Sequence, residues 1–239
     1  MLKRILCAAL ASGALALSGA TAAQELKVAL IAGKTGPLEA YAKETEIGFM
    51  MGLEYLTNGT MTLNGRKIRV IVKDDQLKPD LGKAALAEAY ADDKVDIAVG
   101  TTSSGVALAM LPVAEEYKKV LIVEPAVADV ITGEKWNRYI FRTSRNSTQD
   151  GLASAATLMG GGSVAYLAQD YAFGRDGVKA GKEALAAVGS KAKVVHEEYA
   201  PQNTTDFTAP VQRIFDALKD KPEPRILAII WAGAHPMTK

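Results

Sequence analysis

Short apolar runs alternate along this chain with longer amphipathic segments, and this alternation constrains the fold more than any other feature. The first apolar run, 26–32, reads LKVALIA and ends at a glycine-containing turn. The segment behind it, 39–58, repeats apolar residues at three-to-four spacing, which is typical of a helix with one buried face. Because parallel strands are joined by long crossover connections, alternating strands and helices indicate a parallel sheet covered on both faces. The sequence therefore predicts an α/β fold with doubly wound parallel sheets.

The alternation falls into two similar blocks separated by a polar stretch at 143–150, TSRNSTQD. This stretch lacks periodicity, so we expect a hinge there between two Rossmann-like lobes, at 24–143 and 144–239. The second lobe is expected to be incomplete, because the pattern stops a few residues after its third strand. Strands are predicted at 26–32, 67–73, 95–99, 120–123, 139–142, 163–168, 193–198 and 225–231, and helices at 39–58, 81–91, 104–117, 149–159, 173–188 and 208–218.

Residues 1–23 have the features of a cleaved signal peptide. Lys3 and Arg4 precede an apolar run, and the small residues ATA come shortly before Gln24. The run of about 13 residues is shorter than the ~20 that span a bilayer as a helix. The single cysteine, Cys7, lies in this leader, so neither a disulfide nor thiol chemistry is expected in the mature chain. We therefore expect the chain to be exported.

Charge and residue spacing argue against several classes of partner. Without Lys3 and Arg4, the 28 basic residues become 26 against 27 acidic ones, a formal charge of −1. A nearly neutral chain has no electrostatic reason to bind nucleic acid or an anionic membrane surface. No group of His, Cys, Asp and Glu has the spacing of metal ligands, and Asp74 and Asp75 are expected either to be solvated at a strand end or to cap a helix. We therefore expect neither a metal nor another cofactor.

The stretch 95–106, VDIAVGTTSSGV, carries the clearest functional signal. A short apolar strand breaks there at Gly100 into two threonines and two serines, 101–104, and a helix begins immediately behind them. Hydroxyls and unpaired backbone N–H groups at a helix start are well suited to binding an anion. Such a place serves as a phosphate site, as the position of a catalytic serine, or as part of a cleft for a small carboxylate.

The first two uses fit the sequence poorly. The GKT at 33–35 resembles the end of a phosphate-binding loop, but the further glycine that this motif needs is replaced by Val28. The sequence around Ser103 does not match the G-x-S-x-G pattern of hydrolases, and only His196 and His235 are available as bases. We therefore do not expect an enzyme.

A cleft for a small ligand fits the predicted topology better. In doubly wound sheets, ligands bind outside the carboxyl ends of the strands. The loops at those ends are 33–41, 100–104, 124–129 and, in the second lobe, 169–174. Two lobes that face each other across a hinge would enclose a pocket between these loops.

Several segments resemble those of the periplasmic solute-binding proteins of ABC importers, in the branched-chain amino acid group with the type I two-lobed fold. The resemblance implies capture of a small carboxylate, such as a branched-chain or other amino acid, by a monomer that delivers it to a membrane permease. The similar segments are LKVALIAGKTGPLEAYAKE, VGTTSSGVA, LIVEPA, YIFRTSRNSTQD, QDYAFGRDG and TTDFTAPVQRI.

The resemblance also implies roles for individual residues. Tyr41 matches the position whose ring lies over the ligand, and Phe173 matches the aromatic residue of the second lobe that closes over it. Ser104 matches the serine whose amide and hydroxyl receive the carboxylate. Together with Ser103, it forms the helix start on which the carboxylate is expected to dock.

The resemblance also places three alanines at family positions that contact the ligand away from its carboxylate. Ala126 matches the residue whose backbone carbonyl faces an α-ammonium in amino-acid binders. Ala128 stands where the family has an ammonium-binding threonine, and Ala234 stands at an aromatic position. These smaller residues leave two ligands open, an amino acid or an aromatic organic acid. A further alternative is a sensor domain that reports the ligand to a signalling partner.

Overall fold

The computed structural model describes residues 24–233. The predicted signal peptide with Cys7, and the positions Ala234 and His235, lie outside these residues. The strands are β1 (Leu26–Ala32), β2 (Thr62–Leu63), β3 (Arg66–Asp74), β4 (Ile97–Gly100), β5 (Leu121–Val123), β6 (Ile140–Arg142), β7 (Ser163–Gln169), β8 (Lys193–Ala200) and β9 (Arg225–Ile230). The helices are α1 (Glu39–Thr57), α2 (Pro79–Ala91), α3 (Ser104–Tyr117), α4 (Ser147–Ala156), α5 (Ala172–Ala187) and α6 (Thr208–Leu218), with a short 3₁₀ turn at Asp129–Ile131.

The first sheet has the strand order β2-β3-β1-β4-β5-β6. All pairings are parallel except that of β2 with β3. Strand β1 lies between β3 and β4, and Val28 pairs with Val70 on one side and Ile97 on the other. Because the strands are parallel, the loops after β1, β4 and β5 all leave the same edge of the sheet. This edge is where the predicted ligand site belongs.

Helices α2 and α3 cover one face of the first sheet and bury its largest apolar cluster. Leu86, Met110 and Leu121 are completely buried there, and burial of each such side chain stabilises the fold by about 1.5–3 kcal/mol. The two helices approach closely at Gly82, where an added Cβ would lie 2.2 Å from Cγ1 of Val106. Close packing of α2 against α3 therefore depends on the absence of a side chain at Gly82.

The second sheet is formed by β8, β7 and β9 in that order, all parallel. Every residue of the central strand β7 is buried. Helices α4 and α5 pack against each other, and α6 packs on β7 and β8. Next to α6, the Phe207 and Trp231 rings meet edge to face, with centroids 5.2 Å apart. The predicted α/β class with parallel sheets is thus confirmed for both blocks.

Most predicted bounds of strands and helices are within one to three residues of the observed ones, and two local differences have an identifiable origin. The two-residue strand β2 was not predicted, and it pairs with β3 across the turn at 64–65. Helix α4 begins at Ser147, earlier than predicted, because Asn146 and Gln149 form a capping box with reciprocal side-chain-to-backbone hydrogen bonds. Within residues 24–233, no helix is both long enough and apolar enough to cross a membrane.

Candidate functional site

A cavity of about 120 Å³ lies where loops at the carboxyl ends of the strands from the two sheets meet. We call it the cleft. Helix α1 and the loops of the first sheet supply one side of it, and the loops after β7 and β9 supply the other. The residues that line it are Leu38, Tyr41, Thr102, Ser104, Pro125, Ala126, Val127, Arg145, Tyr171, Phe173, Trp231 and Ala232.

Ser104, the first residue of α3, lines the cleft and is the residue predicted to bind an anion. Its side chain is buried, and its Oγ accepts a hydrogen bond of 3.3 Å from the backbone N–H of Ala128. The preceding residue, Ser103, makes no side-chain capping bond to the helix in the described structure. First-turn N–H groups of α3 therefore stay available to an anion, together with the Ser104 hydroxyl proton.

The two threonines of the segment 101–104, Thr101 and Thr102, hold the loop after β4 in place. The Thr101 hydroxyl donates a hydrogen bond to the carboxylate of Asp75. Thr102 Oγ1 accepts a hydrogen bond of 3.1 Å from the backbone N–H of Gly33. These bonds join the loop after β4 to the loops after β1 and β3, so two other loops at this edge of the sheet hold the segment that leads into Ser104.

Asp75 corrects the prediction of a solvated strand end. The residue is completely buried and also accepts a hydrogen bond of 2.8 Å from the backbone N–H of Leu77. Burial raises the pKa of the Asp75 carboxyl, although the hydrogen bonds from Thr101 and Leu77 oppose this shift. Asp75 therefore has a structural role beneath the cleft.

The loop after β5 contributes Ala126 to the cleft lining, whereas Ala128 lies behind it. Ala126 is buried, and its carbonyl accepts a hydrogen bond of 3.3 Å from the Ser144 hydroxyl. Ala128 is completely buried. Its carbonyl accepts a hydrogen bond of 2.8 Å from Nη1 of Arg142, so both its backbone groups are used within the protein.

Aromatic rings form much of the apolar wall. Tyr41 comes from α1, and Phe173 comes from the start of α5. The Tyr171 and Phe173 rings are tilted against each other, with centroids 5.8 Å apart. Burial raises the pKa of Tyr171 well above its usual range, so its hydroxyl stays neutral. A flat apolar ligand would find aromatic surface on both sides of the cleft.

Residues 25–234 match the family model described as "Periplasmic binding protein". The chain belongs to this family. The match covers most of the chain and agrees with two parallel α/β units around a cleft, the type I fold predicted above. No curated protein is significantly similar to the chain.

Solved structures of other periplasmic binding proteins are similar to this one. An ABC-type branched-chain amino acid transporter from Rhodopseudomonas palustris CGA009 is 69% identical, with a TM-score of 0.69, over 90% of this chain and 58% of that chain. A solute binding protein from R. palustris BisB5 in complex with 3,4-dihydroxybenzoic acid is 33% identical, with a TM-score of 0.69, over 86% of this chain and 54% of that chain.

A third structure, from R. palustris HaA2, is a solute binding protein in complex with p-hydroxybenzoic acid. It is 28% identical, with a TM-score of 0.74, over 90% of this chain and 55% of that chain. The chain therefore spans little more than half the length of these three relatives.

In this periplasmic binding protein, the six predicted site residues separate into two groups. Four of them line the cleft, namely Tyr41, Ser104, Ala126 and Phe173. Ser103 and Ala128 are not part of the lining. Both are buried next to Ser104, so any contribution they make to ligand binding acts through its position.

Sequence reasoning missed Arg145, which lies between β6 and α4. Its Nε donates to both carboxylate oxygens of Asp150, at 2.8 and 3.0 Å. Among the described residues that line the cleft, Arg145 is the one charged side chain. Its only sequence signal is its place in the polar stretch between the two blocks. Thr102 and Tyr171 were also missed, although both lie in loops predicted to face the ligand.

Other candidate groups have structural partners away from the cleft. Lys34 forms an ion pair of 2.8 Å with Glu46, so the GKT sequence is not arranged around a phosphate. His196 Nε2 lies 3.0 Å from Oε2 of Glu198, on the same strand β8. Within residues 24–233, no cluster of His, Cys, Asp and Glu has the arrangement of a metal site.

Proposed function

We propose that this chain is the ligand-capturing part of an extracytoplasmic solute-binding protein of an ABC importer. The observation that carries the proposal is the composition of the cleft. An anion-binding helix start lies on one side and aromatic rings lie on both. A small carboxylate is captured there without chemical change and delivered to a membrane permease.

The carboxylate binds at the start of α3. It accepts hydrogen bonds from the Ser104 hydroxyl and from first-turn N–H groups of the helix, where the helix dipole favours a negative charge. Hydrogen bonds to a charged group contribute about 1.5–3 kcal/mol each. Thr101 and Thr102 keep this binding surface rigid, so little ordering is needed when the ligand arrives.

We propose an aromatic acid as the ligand, in preference to an amino acid. Tyr41, Phe173 and Trp231 offer flat apolar surface, and each Å² of apolar surface removed from water contributes about 25 cal/mol. The cleft of about 120 Å³ is of the same order as a ~150 Å³ cavity that holds benzene. Two relatives at 33% and 28% identity have aromatic acids bound, which supports this choice.

Closure of the second lobe completes capture. The segment 143–146 joins β6 to α4 and is short enough to act as a hinge between lobes at 24–143 and 144–239. The turn at Asp129 stays attached to the second lobe during this motion. Its N–H donates a 2.7 Å hydrogen bond to Asp176 on α5, and its carboxylate accepts a 2.5 Å bond from the Thr148 hydroxyl. The segment 143–146 would bend while these two hydrogen bonds persist, as in the hinge closure of other two-lobed proteins.

The remaining parts of the proposal are supported by the sequence of residues 1–23 and by the family to which the chain belongs. The protein is exported with a signal peptide at 1–23, works in the periplasm as a monomer and docks on the permease of its importer. Its ligand is released to the permease rather than transformed.

A thermal-shift screen of aromatic acids and amino acids tests the proposed function. We expect 4-hydroxybenzoate to raise the melting temperature increasingly as its concentration rises above its dissociation constant, because a ligand that binds only the folded state stabilises it. Isoleucine and leucine are expected to raise it less. A melting temperature that no acid of either class changes would contradict the proposal.

A further inference from the structure

Among the described residues that line the cleft, one side chain carries a charge, that of Arg145, and its geometry leaves part of the guanidinium unused. Nε of Arg145 is engaged by Asp150. Within residues 24–233, its two terminal amino groups donate to no protein acceptor. The side chain keeps 61% of its surface exposed, so these groups are open to a ligand.

The location of Arg145 places these free donors at the border between the two lobes. The residue lines the cleft, and it also lines a cavity of about 420 Å³ enclosed by α4, α5 and β9. Phe173 and Trp231 are shared by the two cavities in the same way. Arg145 therefore borders the second-lobe aromatic residues and lines the same cleft as Ser104 of the first lobe.

The chemistry of the guanidinium indicates what it recognises. Its donors form a rigid fork that matches a carboxylate, and such charge-assisted bonds are stronger than neutral ones. In a cleft of this size, an ammonium group on the ligand would lie close to the positive charge of Arg145. Like charges brought together in this way disfavour binding.

We infer that Arg145 is a specificity-determining residue that binds the ligand's carboxylate with its terminal amino groups. The site thereby selects acids that carry no positive charge of their own. The positive charge near the ligand is then the guanidinium of Arg145, and a second positive charge, the α-ammonium of an amino acid, is disfavoured. This inference rests on the proposed function and narrows its substrate class to non-zwitterionic aromatic carboxylates.

A pair of ligands of nearly the same size and shape, one charged and one neutral, tests the inference. We compare 4-hydroxybenzoate with the neutral 4-hydroxybenzamide by calorimetry, for the wild type and for Arg145→Gln. The wild type is expected to prefer the acid. Arg145→Gln is expected to weaken binding of the acid about tenfold or more and to change binding of the amide less, since only the acid loses a pairing between opposite charges.

The matched control is Asp150→Asn, which breaks the same ion pair from its other end. If the pair only shaped the chain before α4, both variants would lose affinity equally. We expect Asp150→Asn to keep or increase affinity for the acid, because it frees Arg145 from a competing carboxylate. Melting temperatures without ligand verify that both variants fold.

The outcomes separate two failures. The role of Arg145 is overturned if Arg145→Gln leaves the ratio of the affinities for acid and amide unchanged. It is also overturned if Arg145→Gln and Asp150→Asn lose equal affinity for the acid. Either result leaves the proposed function intact. A wild type that binds neither compound overturns the proposed function and the role of Arg145 with it.

Discussion

The Oγ of Ser104 accepts a hydrogen bond from the backbone N–H of Ala128 at 3.3 Å. This bond joins the start of α3 to the loop after β5, so two neighbouring strands fix one hydroxyl at the edge of the cleft. It occupies an acceptor site of the oxygen and leaves the hydroxyl proton to a ligand. A serine in this arrangement is a preorganised donor, which is what reversible capture of a carboxylate requires.

The contact between Gly82 and Val106 makes a prediction about stability. A Cβ at Gly82 would lie 2.2 Å from Cγ1 of the completely buried Val106. Gly82→Ala is therefore expected to destabilise the protein by about 1–3 kcal/mol through overpacking. The measurement is urea unfolding.

Gly52→Ala is the matched control for this change. Gly52 is also helical, in α1, but its added Cβ would have no neighbour within 4 Å. The substitution is expected to stabilise the protein by about 0.5–1 kcal/mol, because alanine favours helix. Equal changes in the free energy of unfolding for the two substitutions would contradict the close packing of α2 against α3.

The nearly buried carboxylate of Glu198 makes a prediction about pH. Arg213 donates two hydrogen bonds to it, at 3.0 and 2.5 Å. This pairing lowers the pKa of Glu198 below its ordinary value of 4.5; burial opposes the shift and the contact with His196 adds to it. A carboxyl with a lowered pKa in the folded state stabilises the protein above its ordinary pKa, and that contribution is lost as pH falls through the lowered value.

Glu198→Gln is therefore expected to lower the free energy of unfolding by about 1.5–3 kcal/mol at neutral pH. This difference from the wild type is expected to shrink below pH 4.5. The comparison variant is Glu183→Gln, which removes an exposed ion pair with Lys179 at 3.8 Å. Such a pair contributes about 0.2–1 kcal/mol at most. Unfolding free energies measured from neutral to acidic pH check both, and a Glu198→Gln loss that stays constant with pH would contradict the pairing.

Phe173 makes a prediction about affinity. Phe173→Ala removes part of the aromatic wall of the cleft and is expected to weaken binding of 4-hydroxybenzoate about tenfold, the equivalent of ~1.4 kcal/mol. Phe215→Ala serves as the control, because Phe215 is exposed on α6 and does not line the cleft. Calorimetric titration gives both dissociation constants, and an equal change in the two would argue against the aromatic wall.

Much of the fold follows from hydrophobic pattern alone. The bounds of β1, α3 and α6 agree residue for residue with the sequence prediction. In each case a clear apolar period meets a strong break, such as Gly33 after β1 or Gly100 before α3. Strand β2 was missed because two residues carry no period, and the start of α4 was misplaced because its capping box lies inside a polar stretch.

The site is less predictable because it depends on side-chain direction and on contacts between distant segments. The family resemblance singled out Ser104 and Phe173, but it gave no direction for Ser103 or Ala128, which lie behind the lining. Asp75 is buried, and its carboxylate is satisfied by a hydrogen bond from Thr101, 26 residues later. No local sequence pattern predicts such a contact. Arg145 is a charged residue in a polar stretch, where charge is ordinarily a solvated feature.

The most direct measurement is the dissociation constant of 4-hydroxybenzoate for Ser104→Ala, obtained by isothermal titration calorimetry beside the wild type and Ser103→Ala. In the proposed site the Ser104 hydroxyl donates to the carboxylate, so its loss is expected to raise the constant about tenfold or more. Ser103 makes no capping bond in the described structure and does not line the cleft, so Ser103→Ala is expected to leave the constant nearly unchanged. A constant that Ser104→Ala does not change would contradict carboxylate capture at the start of α3.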